Sequence, residues 1–419
     1  MSDKPSISQV IRFCFSYKFL PFIPFLSDII LPSSIQSLFV LGKDSSYPFY
    51  LFDIFIFLFF LIALSKDKIK IVKPDLLKLI IFYVLCVFFS TIANNIFHLF
   101  VGLHYCIDFI LYAFLFRFAF YNKTEVSIVL MGFRFLIFFL SIQLFLVYFG
   151  FIQFETLGNN GLMLRAGTTA GNSNMVSHLL YLLCFVSLFN LNNKIWHVII
   201  IIVSGLGIFF TLCRGAILAY ALFVVCYVFL YIKKKKFLVK IAAALLFIGV
   251  FLSLNYYFHF EEVLEARQEE SLAYSGGDDY SAGRTERWEN VINTLNRNNT
   301  FFWGEGVAST GMHRTEVLSS KNIDAGKFSP HNVYIALLSE TGIISLLIFL
   351  CILYLTLKRF YRVDIVLFLG AFFLYGVSFM TEVVGFTQNF AVILWFAYYN
   401  FKKRNDLPLK MNSQLLKKS

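Results

Sequence analysis

The chain has 419 residues, 58% of them hydrophobic and 19% aromatic, with 15% charged and a formal net charge of +11. An ordinary soluble domain carries about 25% charged residues, so a water-soluble core cannot hide this much apolar surface. A nucleic-acid reading of the positive charge fails on where that charge lies. Basic residues cluster between apolar runs, at Lys66 to Lys73, Lys233 to Lys236, Lys358 to Arg362 and Lys402 to Arg404. That is the pattern of loops retained on the cytoplasmic side of a membrane.

Apolar runs near the ~20 residues that cross a bilayer recur along the chain. They must be helices, because hydrocarbon offers backbone amides no outside partner, and barrel strands would alternate polar and apolar residues. The expected spans run near Val10 to Leu31, Pro48 to Leu64, Leu76 to Ala93, Phe97 to Phe120, Val126 to Gly150 and Asn174 to Leu191. They continue near Ile195 to Phe210, Gly215 to Ile232, Phe237 to Tyr257, Val333 to Leu357, Val363 to Thr381 and Phe386 to Phe401. About twelve crossings put both termini in the cytoplasm and every lysine cluster on that side. The first segment holds Arg12, Lys18, Pro21 and Pro24, and is expected to be kinked or half-buried. The start of the chain carries no convincing cleavage site for a removable signal peptide. The seven cysteines fall in or beside apolar segments, which implies neither a disulfide framework nor a metal site.

The expected organisation is therefore all-α and polytopic: transmembrane helices over 1–257, a large outward loop over 258–330, more transmembrane helices over 331–401 and a cytoplasmic tail over 402–419. The loop holds twelve acidic and seven basic residues, opposite in sign to the rest of the chain. Loops longer than about 15 residues in a compact protein are usually functional or disordered. Within this one, RTERWENVINTLNR puts Trp288, Val291, Ile292 and Leu295 on one face of an amphipathic helix.

On the outward side, arginines recur at the ends of apolar spans: Arg165 in LRAGTTAGNSN, Arg214 in TLCRGA, and Arg284 with Arg287 in GRTERW. A guanidinium near hydrocarbon costs roughly 2.5 to 3.5 kcal/mol at a helix centre. Such a group either snorkels to the interface or holds an anion, and its planar fork suits phosphate. Arg214 has no nearby carboxylate in sequence, which leaves an anionic ligand or a distant acid as its partner. His331, in SPHNVYIALLSETG, stands at the expected outer mouth of a span. An imidazole with a pKa near ~6.5 serves there either as a capping group or as a base toward a hydroxyl. Asp278 and Asp279 are a conceivable metal pair, though adjacent acids in a Gly/Ser-rich stretch read more simply as solvated loop residues.

The ordered set TLCRGA, GRTERW, WGEG and HNVYIALLSETG resembles the O-antigen ligase and polymerase superfamily. The most specific piece is HN, nine residues, then Gly342. The resemblance covers the layout of the C-terminal two-thirds of the chain. It implies a GT-C-like fold in the bacterial inner membrane with its active site facing the periplasm. It also implies a metal-independent, inverting glycosyl transfer without a cofactor, from a glycan linked to undecaprenyl pyrophosphate. Arg214 and Arg284 match the family's pyrophosphate-binding arginines, with Arg287 and Arg165 as further candidates, and His331 matches its proposed catalytic histidine. Implied partners are the lipid-linked oligosaccharide, an acceptor glycan or lipid A-core, membrane lipid and a chain-length regulator.

WGEG and SPHNVYI read more like the polymerase branch. The pattern of an arginine, ten intervening residues and then a glycine, which polymerases often carry in two outer loops, fails at Arg165, where the spacing reaches Val176. Polymerase and ligase both stay open. A flippase or transporter of lipid-linked oligosaccharide is the rival from another class, but it predicts related halves and short outer loops. A metal-dependent transferase using Asp278 and Asp279 is the second rival.

Overall fold

The computed structural model describes residues 5–30, 75–94, 111–117, 121–152, 173–189, 193–231, 284–306, 332–381 and 388–401, two short strands and a few isolated positions. The expected spans Pro48 to Leu64 and Phe237 to Tyr257 lie almost wholly outside the described residues. So do Arg165, Asp278, Asp279, His331 and much of the 258–330 loop.

Helix α1 (Ile7–Cys14) starts at a capping box between Ser6 and Gln9. A 3-10 turn (Tyr17–Phe19) and α2 (Phe22–Ile30) follow, so the first expected span is broken, as Pro21 requires. Strands β1 (Val40–Leu41) and β2 (Phe49–Tyr50) pair antiparallel, a four-residue departure from the all-α expectation. Then come α3 (Asp75–Asn94), α4 (Lys123–Tyr148), α5 (Ser173–Ser187), α6 (Lys194–Phe210) and α7 (Arg214–Tyr231). The loop contributes α8 (Arg284–Arg297). Helix α9 (Val333–Val363) precedes α10 (Ile365–Phe373), which passes through a π-turn (Leu374–Ser378) into α11 (Phe379–Thr381), and α12 (Gln388–Asn400) follows.

Helix ends that the expected topology assigns to one side of the membrane meet in space. At the basic end, Lys18 Nζ lies 2.8 Å from the Glu125 carboxylate. Phe22, Phe116, Tyr121 and Phe133 surround the Phe396 ring at 5.5 to 5.8 Å, and Phe189 stacks on Phe401 at 4.0 Å. Arg134 donates to the Ser187 carbonyl at 3.0 Å and Arg359 to that of Tyr398, so two cations cover helix C-terminal carbonyls where the helix dipole favours them. At the opposite end, the Phe210 ring lies 5.0 Å from Tyr148 and 6.1 Å from Phe149. There Ser90 Oγ also donates to the Glu340 carbonyl at 2.8 Å.

Helices α4 and α9 are long and apolar enough to cross a membrane, and several shorter apolar helices pack with them. The outward surfaces remain apolar: Phe89 on α3, Phe135 on α4, Ile202 on α6 and Leu347 on α9 are each more than half exposed. Lipid is a matching solvent for large apolar side chains left exposed on four helices.

Close helix approach depends on small residues. A Cβ at Gly370 of α10 would stand 2.5 Å from Phe185 Cδ2, and the Gly370 carbonyl accepts from the Tyr181 hydroxyl at 2.8 Å. Gly370→Ala should therefore destabilise the bundle by about 1 to 3 kcal/mol, because overpacking outweighs the ~1 kcal/mol that alanine gains in helix propensity. Gly132→Ala, with nothing within 4 Å of the added carbon, is the control. Thermal unfolding in detergent compares the two, and an unfolding temperature for Gly370→Ala at or above that of Gly132→Ala would contradict the packing argument.

Candidate functional site

Two tight backbone features frame the candidate site. In the first, Thr211 to Cys213 reverse the chain between α6 and α7. Thr211 Oγ1 donates to the Ile208 carbonyl at 2.6 Å, and Leu212, at φ 55°, occupies the left-handed region that a non-glycine residue enters only at a cost. The Cys213 thiol is turned inward, 3.9 Å from His178 Nε2. Arg214 is exposed and is the first residue of α7. A cation at a helix N-terminus opposes the positive end of the dipole, so an anion held by the guanidinium would relieve the conflict.

The second feature is built from the loop. Helix α8 forms over the expected RTERWENVINTLNR segment and begins at Arg284. Leu295 is buried and Trp288 and Val291 are half-buried, while Ile292, expected on the same face, is exposed. Thr294, also buried, takes that place and satisfies its hydroxyl on the Asn290 carbonyl at 2.7 Å. The helix ends in a Schellman arrangement: Asn299 is left-handed at φ 58°, and the Thr300 amide donates to the Leu295 carbonyl at 2.9 Å. The chain then makes the turn Phe301 to Gly306, which contains WGEG. Glu305 is buried, and its Oε1 accepts from Asn298 Nδ2 and Thr300 Oγ1, both at 2.8 Å.

This turn docks on α9 where that helix breaks. Gly342 has φ 77° and ψ 175°, which divides α9 into a short half, 333–341, and a long half, 343–363. The long half alone rises about 31 Å, enough to cross a hydrocarbon core of about 30 Å. If α9 were straight, Tyr334 and Phe349 would sit about 22 Å apart along the axis. Instead both rings lie 6.4 Å from the ring of Phe379. The short half is folded back among the helices, and Val333, Ala336, Leu337, Leu338, Ser339 and Thr341 are all buried.

Its start is fixed twice. Asn332 Oδ1 accepts from the amides of Tyr334 at 2.9 Å and Ile335 at 3.2 Å, and the Tyr334 hydroxyl donates to the Tyr375 carbonyl at 2.6 Å. Tyr375 belongs to the π-turn, where the Phe379 amide reaches back five residues to Leu374. Such turns disturb the regular helical pairing and often mark functional sites. The π-turn also packs against α7, the helix that Arg214 begins. Val333 to Leu357 was expected to be one span; the helix breaks within it at Gly342, and Asn332 at its start is 3% exposed, while His331 lies outside the described residues.

Comparison with known families adds one match. Residues 199–350 match the O-antigen ligase family. The resemblance to the O-antigen ligase and polymerase superfamily is thereby shown for that segment, which runs from α6 into the long half of α9 and covers a minority of the chain. No curated protein matches the sequence. The family segment includes Arg214, Arg284, Arg287 and His331, together with the turn Phe301 to Gly306 and the break at Gly342, and leaves out Arg165.

Arg214 and the backbone of α8 are described, while the side chains of Arg284 and Arg287 lie outside the described residues. Sequence reasoning noted WGEG and the nine-residue spacing to Gly342 without connecting them. Their positive φ values are what join them: Gly304 and Gly306 on one side, at 74° and 91°, face Gly342 on the other.

Proposed function

We propose that the protein is a surface-polysaccharide polymerase of the bacterial inner membrane, acting at the periplasmic face. It transfers a glycan from undecaprenyl pyrophosphate to an acceptor sugar hydroxyl. The carrying observation is that the O-antigen ligase match spans both backbone features, the Arg214 helix start and the broken helix behind His331. On this reading about twelve spans form a GT-C-like frame with the 258–330 loop as its outer wall.

In the reaction, His331 accepts the proton of the acceptor hydroxyl as its oxygen attacks the anomeric carbon. The bond from that carbon to the pyrophosphate oxygen breaks, the electron pair leaves with the carrier pyrophosphate, and the anomeric centre inverts. Arg214 and Arg284 bear the leaving-group charge, with Arg287 and Arg165 as outlying cations. Cations fixed at low dielectric supply this stabilisation without a metal. Transfer by purified protein should therefore persist in excess chelator; loss on chelation, restored by a divalent cation, would remove the metal-free mechanism and favour a metal-dependent transferase.

Ligation of the glycan to lipid A-core is the second reading, favoured by the ligase description of the matched family. The surface polysaccharide of a strain lacking the protein separates the two. A core bearing a single repeat unit indicates a lost polymerase, in whose product a chain-length regulator would share control. Full-length polymer stranded on the carrier lipid indicates a lost ligase. Carrier-linked repeat units accumulating on the cytoplasmic face would instead point to a flippase.

A further inference from the structure

The turn Phe301 to Gly306 and the break in α9 are interlocked backbone to backbone. A Cβ on Gly304 would stand 2.5 Å from the Glu340 carbonyl and the Thr341 nitrogen, and one on Gly342 would stand 2.6 Å from the Trp303 nitrogen. The hydrogen bonds show what the contact replaces. In an unbroken helix the Ile343 amide would donate to the Ser339 carbonyl four residues back. Here it donates to the Phe301 carbonyl at 3.1 Å, and the Ser339 carbonyl accepts from the Glu305 amide at 2.8 Å. The Glu340 carbonyl likewise accepts from the Gly306 amide at 3.0 Å and from Ser90 Oγ at 2.8 Å.

The turn thus satisfies the groups that breaking the helix leaves open. Without it, the same groups would be satisfied by straightening α9, which would carry Asn332 about 15 Å beyond Gly342 along the helix axis. We propose that the turn Phe301 to Gly306 is a positioning element that holds α9 in its broken form and so aims the chain at Asn332 into the bundle. Because the turn follows α8 directly, the Arg284 helix and the short half of α9 are set by one clamp. The proposal rests on reading His331 as the base, since the clamp acts through the segment that carries it.

The test uses full-length protein in detergent or vesicles, with carrier-linked glycan extracted from a strain lacking the protein as donor. Asparagine tolerates positive φ but brings a Cβ. If close backbone approach is what matters, alanine and asparagine at Gly304 or Gly342 should be equally harmful. Each should lower kcat by about 10- to 100-fold, the scale of a slightly misplaced reacting group, with little change in KM for the donor. Hydrogen exchange at the Glu305, Gly306 and Ile343 amides should quicken in the same variants. Gly150, at φ 75° with open space around it, supplies the control, and Gly150→Asn should behave as wild type.

Should the glycine variants fail to fold, Glu305→Ala loosens the turn from within. It should lower kcat, and Glu305→Gln, which keeps an acceptor oxygen, should restore most of the loss. Wild-type kcat in Gly342→Asn beside a defective Gly342→Ala would overturn the proposal, because only φ would then matter. Quickened amide exchange with unchanged kcat would overturn it equally. If His331→Ala retains full transfer while the clamp variants stay impaired, the base assignment falls and the clamp remains.

Discussion

Replacing His331 with Ala should lower glycan transfer by about 10²- to 10⁴-fold, the usual range for losing a general base, while the protein still accumulates in the membrane. An acceptor hydroxyl is a weak nucleophile until its proton is taken, so the loss should fall on kcat rather than on KM for the donor. Wild-type transfer should also fall toward acid pH, where protonation removes the base. Measuring polymer per mole of purified protein across pH checks both expectations. Near-normal polymer in His331→Ala would remove the base assignment, whatever the state of the helix break behind it.

Replacing Arg214 with Ala should reduce transfer by about 10²-fold or more, the scale of removing one preorganised donor from a developing negative charge. Arg214→Lys should recover only part of this, because a lysine keeps the charge but loses the planar two-pronged donor. The substitution should leave stability nearly unchanged, since Arg214 is exposed at the start of α7 and its neighbour Cys213 is the residue turned into the core. A donor whose leaving group is less charged than pyrophosphate would show a smaller loss in Arg214→Ala than the natural carrier does. Equal losses on both donors would mean that Arg214 serves the fold or the acceptor instead. Arg284 carries the same prediction, with the added expectation that substitution at the first turn of α8 leaves the clamp bonds of Glu305 intact.

Several features were legible because they depend on local chemistry. Basic clusters between apolar runs gave an alternation of helix ends, and the contacts of Lys18 with Glu125 and of Phe189 with Phe401 join ends assigned to one side. The helix from Arg284 was readable from its 3.6-residue periodicity, and the broken first segment from Pro21. Ile292 was misplaced because periodicity gives a face about 100° wide without saying which edge of it a neighbour covers. The buried polar residue of that helix, Thr294, could join the covered side because its hydroxyl is satisfied by its own backbone.

The turn Phe301 to Gly306 follows α8 in sequence but is separated from Gly342 by more than thirty residues, and no local rule pairs them. A helical reading of VYIALLSETGIISLL is correct for its propensities, and a lone glycine costs a helix only about 1 kcal/mol, so continuity is the natural expectation. The helix breaks there because another segment supplies the hydrogen bonds that the break forfeits.

The sequence by itself determined that this chain is apolar enough to favour lipid and that its basic clusters alternate with apolar helical runs. Those follow from transfer energies and charge, which are properties of residues taken one at a time. Only the tertiary structure decided that the short half of α9 folds back into the bundle, so that Asn332 is buried. The reason is the exchange of hydrogen bonds at Ser339, Glu340 and Ile343, which depends on a distant turn reaching within touching distance of a backbone without a Cβ.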